Sequence, residues 1–320
     1  MRRLAWTGAA LAIVVIVLWL LTPPTLGAAP SAIELPSDLD AWLEETERDA
    51  DSLYGLVPGS EKRIRWQQQG TRTPIAVVNL HGFSATRQEL APLPDIVADA
   101  LGANLFETRL TGHGRETTRL EDVQAEDWIA DAREALAIGE TIGERIVLIG
   151  NSTGATLALA MLGDEAMRNV DAIILVSPNI APADPAAQWI TRPGGPILLR
   201  LMAGDSISWE PLNEQQEIYW TTTYPSEATV QVMRLADRAK ALLSRPFEQE
   251  VLMLVAPGDQ VVSPDAALEA FEAIQSPRKQ LIEFTDSEDP KHHILAGDIV
   301  SPGTTGIVAE LIVDFLQGAD

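Results

Sequence analysis

The sequence predicts a doubly wound, mainly parallel α/β sheet interrupted by one inserted cap, and three observations predict it. Short apolar runs rich in β-branched residues alternate with stretches of helical periodicity, as in strands buried on both faces and crossed over by helices. One long span, residues 181–247, breaks that alternation with Trp189, Trp209, Tyr219, Trp220, Tyr224 and several prolines. The 320 residues, 46% of them hydrophobic, suffice for a large core in one domain.

Taken in order, residues 1–22 read as an address rather than as part of the fold. Residues 4–21 carry no charge, follow Arg2 and Arg3, and precede the first acid, Glu34. That arrangement predicts a membrane anchor with its N-terminus in the cytoplasm, or a signal segment if it is cleaved. The main domain is then extracytoplasmic and membrane-anchored, periplasmic in a bacterium, or secreted. Residues 23–36, rich in Pro, Ala and Ser, read as a linker.

The globular part, 37–320, begins with a short helix over 39–51. Strands follow at 75–80 (IAVVNL), 103–108, 145–149, 171–176 (DAIILV), 250–255 (EVLMLV) and 280–284. Helices are predicted at 88–101, 121–141, 153–162, 264–274 and 306–315 from their 3.6-residue periodicity. Right-handed crossovers make such a series a doubly wound sheet, whose ligands bind beyond the carboxyl ends of the strands. Within 181–247 only 228–243 has clear helical spacing, and a span this long between core strands is read as a cap over those ends.

The net charge of −23 opposes nucleic-acid binding. The absence of cysteine removes disulfides, thiol catalysis and thiolate metal sites. No histidine pair has ligand spacing with a carboxylate, so no metal is expected.

Residues 150–154, Gly-Asn-Ser-Thr-Gly, lie between a strand and a helix. This G-x-S-x-G turn exposes the Ser152 hydroxyl in a strained conformation, with glycines where side chains would strike the neighbouring strand and helix. A serine hydroxyl needs a base, and the base needs a carboxylate to hold it. Asp259 follows the strand at 250–255, and His292 and His293 follow the strand at 280–284. The resulting Ser…Asp…His order points to Ser152 as nucleophile, Asp259 as orienting acid and His293 as base, with His292 as the alternative. Asp286 and Asp289 are expected to be surface loop acids. The backbone N–H groups of Phe83 and Thr153 are the candidate oxyanion donors, with His81 structural and His113 a loop histidine.

The segments VVNLHGFSAT, TRLTGHGR, LIGNSTGA, PGDQVV and HHILAGD together resemble the α/β-hydrolase superfamily, in its lysophospholipase and monoacylglycerol-lipase-like branch. The resemblance covers roughly residues 70–320. It implies an α/β-hydrolase fold with a cap between the sixth and seventh core strands. It also implies ester hydrolysis by the Ser, Asp and His named above without a cofactor. The turn departs from the branch in carrying Asn151 and Thr153, where His or Glu before the serine and Met or another small residue after it are usual. Serine at 152 argues against an epoxide hydrolase or dehalogenase, which would place Asp there. The expected substrate is a lipid-like or small acyl ester. A serine peptidase of the same fold and a catalytically inactive, membrane-tethered binding module are the alternatives.

Overall fold

The structure, a computed structural model, describes residue 26 and residues 34–318 apart from 118, 186, 188, 189 and 193. The predicted membrane segment, most of the linker and Trp189 of the cap therefore lie outside the described residues. Among the described residues no helix is long and apolar enough to cross a membrane.

The chain opens with α1 (Leu39–Tyr54), capped by the Asp38 carboxylate accepting from Ala41 N–H. Next come β1 (Arg63–Arg65), β2 (Thr73–Leu80), α2 (Leu93–Leu101), β3 (Asn104–Glu107) and α3 (Ala125–Ile142). β4 (Gly143–Asn151), α4 (Thr153–Ala160) and β5 (Val170–Val176) follow. The inserted region holds α5 (Gly195–Ala203), β6 (Ser206–Ser208), α6 (Glu214–Tyr219), β7 (Thr223–Pro225) and α7 (Ser226–Leu242). The chain then completes the sheet with β8 (Glu250–Val255), α8 (Pro264–Ala273), β9 (Lys279–Glu283) and α9 (Thr305–Gln317).

Seven strands form one sheet in the order β1-β3-β2-β4-β5-β8-β9. All neighbours are parallel except β1, which runs antiparallel to β3 with Ile64 opposite Phe106. The strand order reverses direction around β2, as in a doubly wound sheet. Alternate residues of each central strand point to opposite faces, and both faces are buried. Val78, Leu148, Ile173 and Met253 pack with α3, α4 and α8. Val77, Ile149, Ile174 and Leu252 pack with α2 and α9. This double burial explains why the strands read as continuous apolar runs instead of alternating ones.

The structure revises several predicted bounds, each for a local reason. The helix expected at 88–101 is a 3-10 turn at Arg87–Glu89 and then α2, because Pro92 and Pro94 fit only before or within the first turn of an α-helix. The helix expected from 121 begins at Ala125. Leu120 and Asp122 take positive φ, and the Asp127 carboxylate accepts from the Gln124 N–H to set the start. β1, only three residues long, had no periodicity to reveal it.

The span between β5 and β8 is more structured than expected, with a β6–β7 hairpin flanking α6. Its last helix, α7, packs Ala228, Val232, Leu235 and Ala239 into the main core and Val230, Met233 and Ala236 with Ile190 and Leu199 of the insertion. On α5, Ile197, Leu198, Leu201 and Met202 are exposed.

Candidate active site

Every residue of the candidate site sits on a loop leaving the carboxyl edge of the sheet. Ser152 occupies the turn between β4 and α4 with φ 50° and ψ −113°, a conformation unfavourable for any residue with a Cβ. The turn is made possible by glycines two residues to either side, Gly150 and Gly154. A Cβ on Gly150 would lie 2.6 Å from the Ala155 nitrogen, and one on Gly154 would overlap the Leu80 carbonyl. β4, α4 and the end of β2 can thus meet only around glycine. The Ser152 N–H donates to the Val176 carbonyl at 2.9 Å, which ties the turn to β5.

Three side chains from distant parts of the chain form one hydrogen-bonded line. His293 Nε2 lies 3.0 Å from Ser152 Oγ, and His293 Nδ1 lies 2.7 Å from Asp259 Oδ2. With Nδ1–H donating to the carboxylate, Nε2 is left to accept the serine proton. Asp259 is held in turn: its Oδ1 accepts from the N–H groups of Val261 and Val262 at 2.7 and 2.9 Å. All three residues are buried. Burial works to lower the His293 pKa. The hydrogen bond and charge of Asp259, with Glu89 and Asp289 behind them, outweigh it and raise the pKa above the ordinary value.

His292, the alternative base, has φ 55° and packs its ring against Gly258. The structure therefore brings His293, and not His292, to the serine. Asp286 is exposed, as expected. Asp289 corrects the expectation of a surface acid. It is 5% exposed, and its carboxylate accepts from the N–H groups of Lys291, His293 and Ile294. It shapes the loop that carries His293, and Ser177 Oγ completes the hold by donating to the His293 carbonyl. The Asp-Pro pair at 289–290 is a turn signal in the sequence, but its burial is a tertiary property.

β2 delivers His81-Gly82-Phe83 to the same edge. His81 Nδ1–H donates to the Gly82 carbonyl, and Nε2 accepts from the Leu110 N–H at 3.0 Å. Burial lowers its pKa to about 4, so the ring is neutral and structural. His113 is likewise buried, with Nδ1 on the Thr111 carbonyl and its pKa pushed well down by burial. Trp128 closes this cluster, donating from Nε1 to the same carbonyl. Glu89, which the sequence offered only as a helix residue, is 2% exposed and accepts from the Gly82 N–H at 2.6 Å.

Above Ser152 lies a cavity of about 300 Å³ whose walls include Phe83, Thr153, His293 and the inserted residues Trp209, Trp220 and Tyr224. The Phe83 and Tyr224 rings meet edge to face at 4.9 Å. The Thr221 N–H donates to the Ser84 carbonyl at 2.6 Å. The insertion is thus fastened to the loop after β2.

Comparison with known proteins agrees with this architecture. Residues 75–295 match the model of the alpha/beta hydrolase family. A thermostable monoacylglycerol lipase of Bacillus sp. (strain H-257) is 30% identical over 231 residues, covering 72% of this chain and 86% of its own. Among solved structures, one from a study of the metagenome-derived lipolytic enzymes LipS and LipT superposes with a TM-score of 0.68. It shares 21% identity and covers 82% of this chain and 99% of that one. A soluble variant of monoglyceride lipase from Saccharomyces cerevisiae superposes at 0.59 with 14% identity, covering 83% of this chain and 94% of that one. With its two-faced parallel sheet, its serine turn at the sheet edge and these matches, the chain belongs to the alpha/beta hydrolase family.

Proposed function

We propose that this protein is a carboxylic-ester hydrolase that forms an acyl-enzyme on Ser152. The observation that carries the reading is the unbroken line of hydrogen bonds from Ser152 through His293 to Asp259 at the floor of an aromatic cavity. His293 takes the serine proton as Ser152 Oγ bonds to the ester carbonyl carbon. The carbonyl oxygen, now negative, is received by the N–H groups of Phe83 and Thr153, with the N-terminus of α4 behind it. Collapse of this intermediate expels the alcohol, which takes its proton from His293. Water repeats the sequence, releasing the acid and restoring Ser152.

The substrate class follows from the cavity and the relatives. Apolar and aromatic walls favour an acyl group of lipid-like or small size, and a relative named monoacylglycerol lipase acts on esters of that kind. The apolar run at 4–21 would hold the enzyme at a membrane, near such substrates.

Hydrolysis of p-nitrophenyl butyrate tests the reading. Ser152→Ala and His293→Ala are expected to lose several orders of magnitude in kcat, as removal of a triad member does, while His292→Ala stays within a few-fold of wild type. A wild-type protein that neither hydrolyses the ester nor is labelled at Ser152 by a fluorophosphonate would instead be a binding module on a hydrolase fold.

A further inference from the structure

Glu89 is an acid that the Ser152, His293 and Asp259 mechanism does not use, yet it lines the same cavity. It closes the 3-10 turn Arg87–Glu89, and its carboxylate lies under the loop after β2. Oε2 accepts from the Gly82 N–H at 2.6 Å, and a Cβ on Gly82 would lie 2.8 and 2.9 Å from the two carboxylate oxygens. Only glycine at 82 lets the acid come so close. The Glu89 backbone is wedged from the other side, since its carbonyl occupies the place of a Cβ on Gly297. The next hydrogen bond along, Asp298 N–H to the Ala91 carbonyl at 2.8 Å, fastens this turn to the loop beyond His293. Glu89 therefore stands between the loop bearing one proposed oxyanion donor and the loop bearing the base.

We propose that Glu89 is a positioning residue of this site: its carboxylate holds the His81–Gly82 peptide, and with it the loop that presents the Phe83 N–H on the next peptide. The proposal rests on the esterase reading above. Glu89 makes no ion pair with Lys or Arg among the described residues. Burial raises its pKa, while the Gly82 N–H, the Asn151 side chain and His293 act against that rise. The charged groups facing His293 are Asp259 after β8, Glu89 before α2 and Asp289 on its own loop. Asp259 and Asp289 are each satisfied by two or more backbone N–H groups. Glu89 has the single Gly82 N–H from the backbone, and across the cavity it shares with His293 its negative charge adds to that of Asp259 in favouring the imidazolium.

Each part has its own readout. Ester hydrolysis needs neutral His293, so the acidic limb of kcat/KM reports its titration in the free enzyme. Glu89→Gln keeps the shape and an oxygen for the Gly82 N–H but removes the charge. The limb is expected to move to lower pH by roughly half a unit or more, because the imidazolium loses a stabilising anion. Glu89→Leu removes the acceptor and frees the peptide. Its kcat is expected to fall roughly 10- to 100-fold with KM within a few-fold, the pattern of an interaction made mainly in the transition state. Fluorophosphonate labelling of Ser152 in each variant confirms an intact nucleophile turn. An active wild type with an unmoved limb in Glu89→Gln and an unchanged kcat in Glu89→Leu overturns this proposal alone. A wild type that is neither active nor labelled overturns the esterase reading and this proposal with it.

Discussion

His81 shows how a single buried side chain sets a pH dependence. Both ring nitrogens are engaged, one donating to the Gly82 carbonyl and one accepting from the Leu110 N–H, so the fold has no partner for a second proton. Its pKa is about 4 in the folded protein, against 6.5 ordinarily. Between those values the unfolded chain binds more protons than the folded one. This contribution to stability is therefore whole above pH 6.5 and declines as the pH falls toward 4. His81→Gln lacks that titration. Its unfolding free energy relative to wild type is expected to improve by about 2 kcal/mol between pH 7.5 and pH 5, measured by urea denaturation at both. An unchanged difference would mean that the imidazole titrates normally. At this scale the side chains that the fold brings together were largely legible. Ser152, Asp259 and His293 were found because a strand–turn–helix motif and loop positions after two strands announce them. Glu89 and Asp289 were not, since both read as ordinary polar residues until packing buries them.

At the scale of elements, glycine separates what must be bare from what need not be. Gly154 lies against the backbone of β2, where a methyl would overlap the Leu80 carbonyl. Gly154→Ala is expected to cost several kcal/mol, in the range of severe overpacking, or to abolish folding. At Gly306, in the first turn of α9, an added methyl would meet no atom within 4 Å, and φ is not positive. Gly306→Ala is expected to raise stability by about 0.5–1 kcal/mol through helix propensity and chain entropy. Thermal and urea unfolding of the two variants would show shifts of opposite sign. Six of the seven sheet strands and most helices were legible, because burial on both faces leaves a continuous apolar run in a strand and burial on one face leaves a 3.6-residue period in a helix. The insertion was legible as a break but its internal structure was not: its β6–β7 strands are three residues each. Its last helix, though recognised, could not be assigned to the core from its own sequence. That depended on α4 offering a facing surface.

The molecule as a whole carries a net charge of −23, and like charges spread over one compact body repel each other. Salt screens such repulsion over about 10 Å at 0.1 M. The melting temperature is therefore expected to rise as sodium chloride goes from tens to a few hundred millimolar, read by calorimetry. A flat or falling curve would show that attractive pairs such as Arg109 with Glu47 and Arg133 with Asp164 dominate instead.

The two outer strands of the sheet have a consequence of a different kind. β1 is only three residues long, and its arginines are committed to Asp95, Asp99 and Glu107. β9, at the other rim, begins at Lys279, ends at Glu283 and leaves Gln280 exposed. An unpaired strand is a template on which another chain can add. Here one rim is too short and the other carries charge at both ends, so among the described residues the sheet presents no flat apolar ribbon to a second copy. The same device that ends the sheet guards a concentrated protein against amyloid-like stacking.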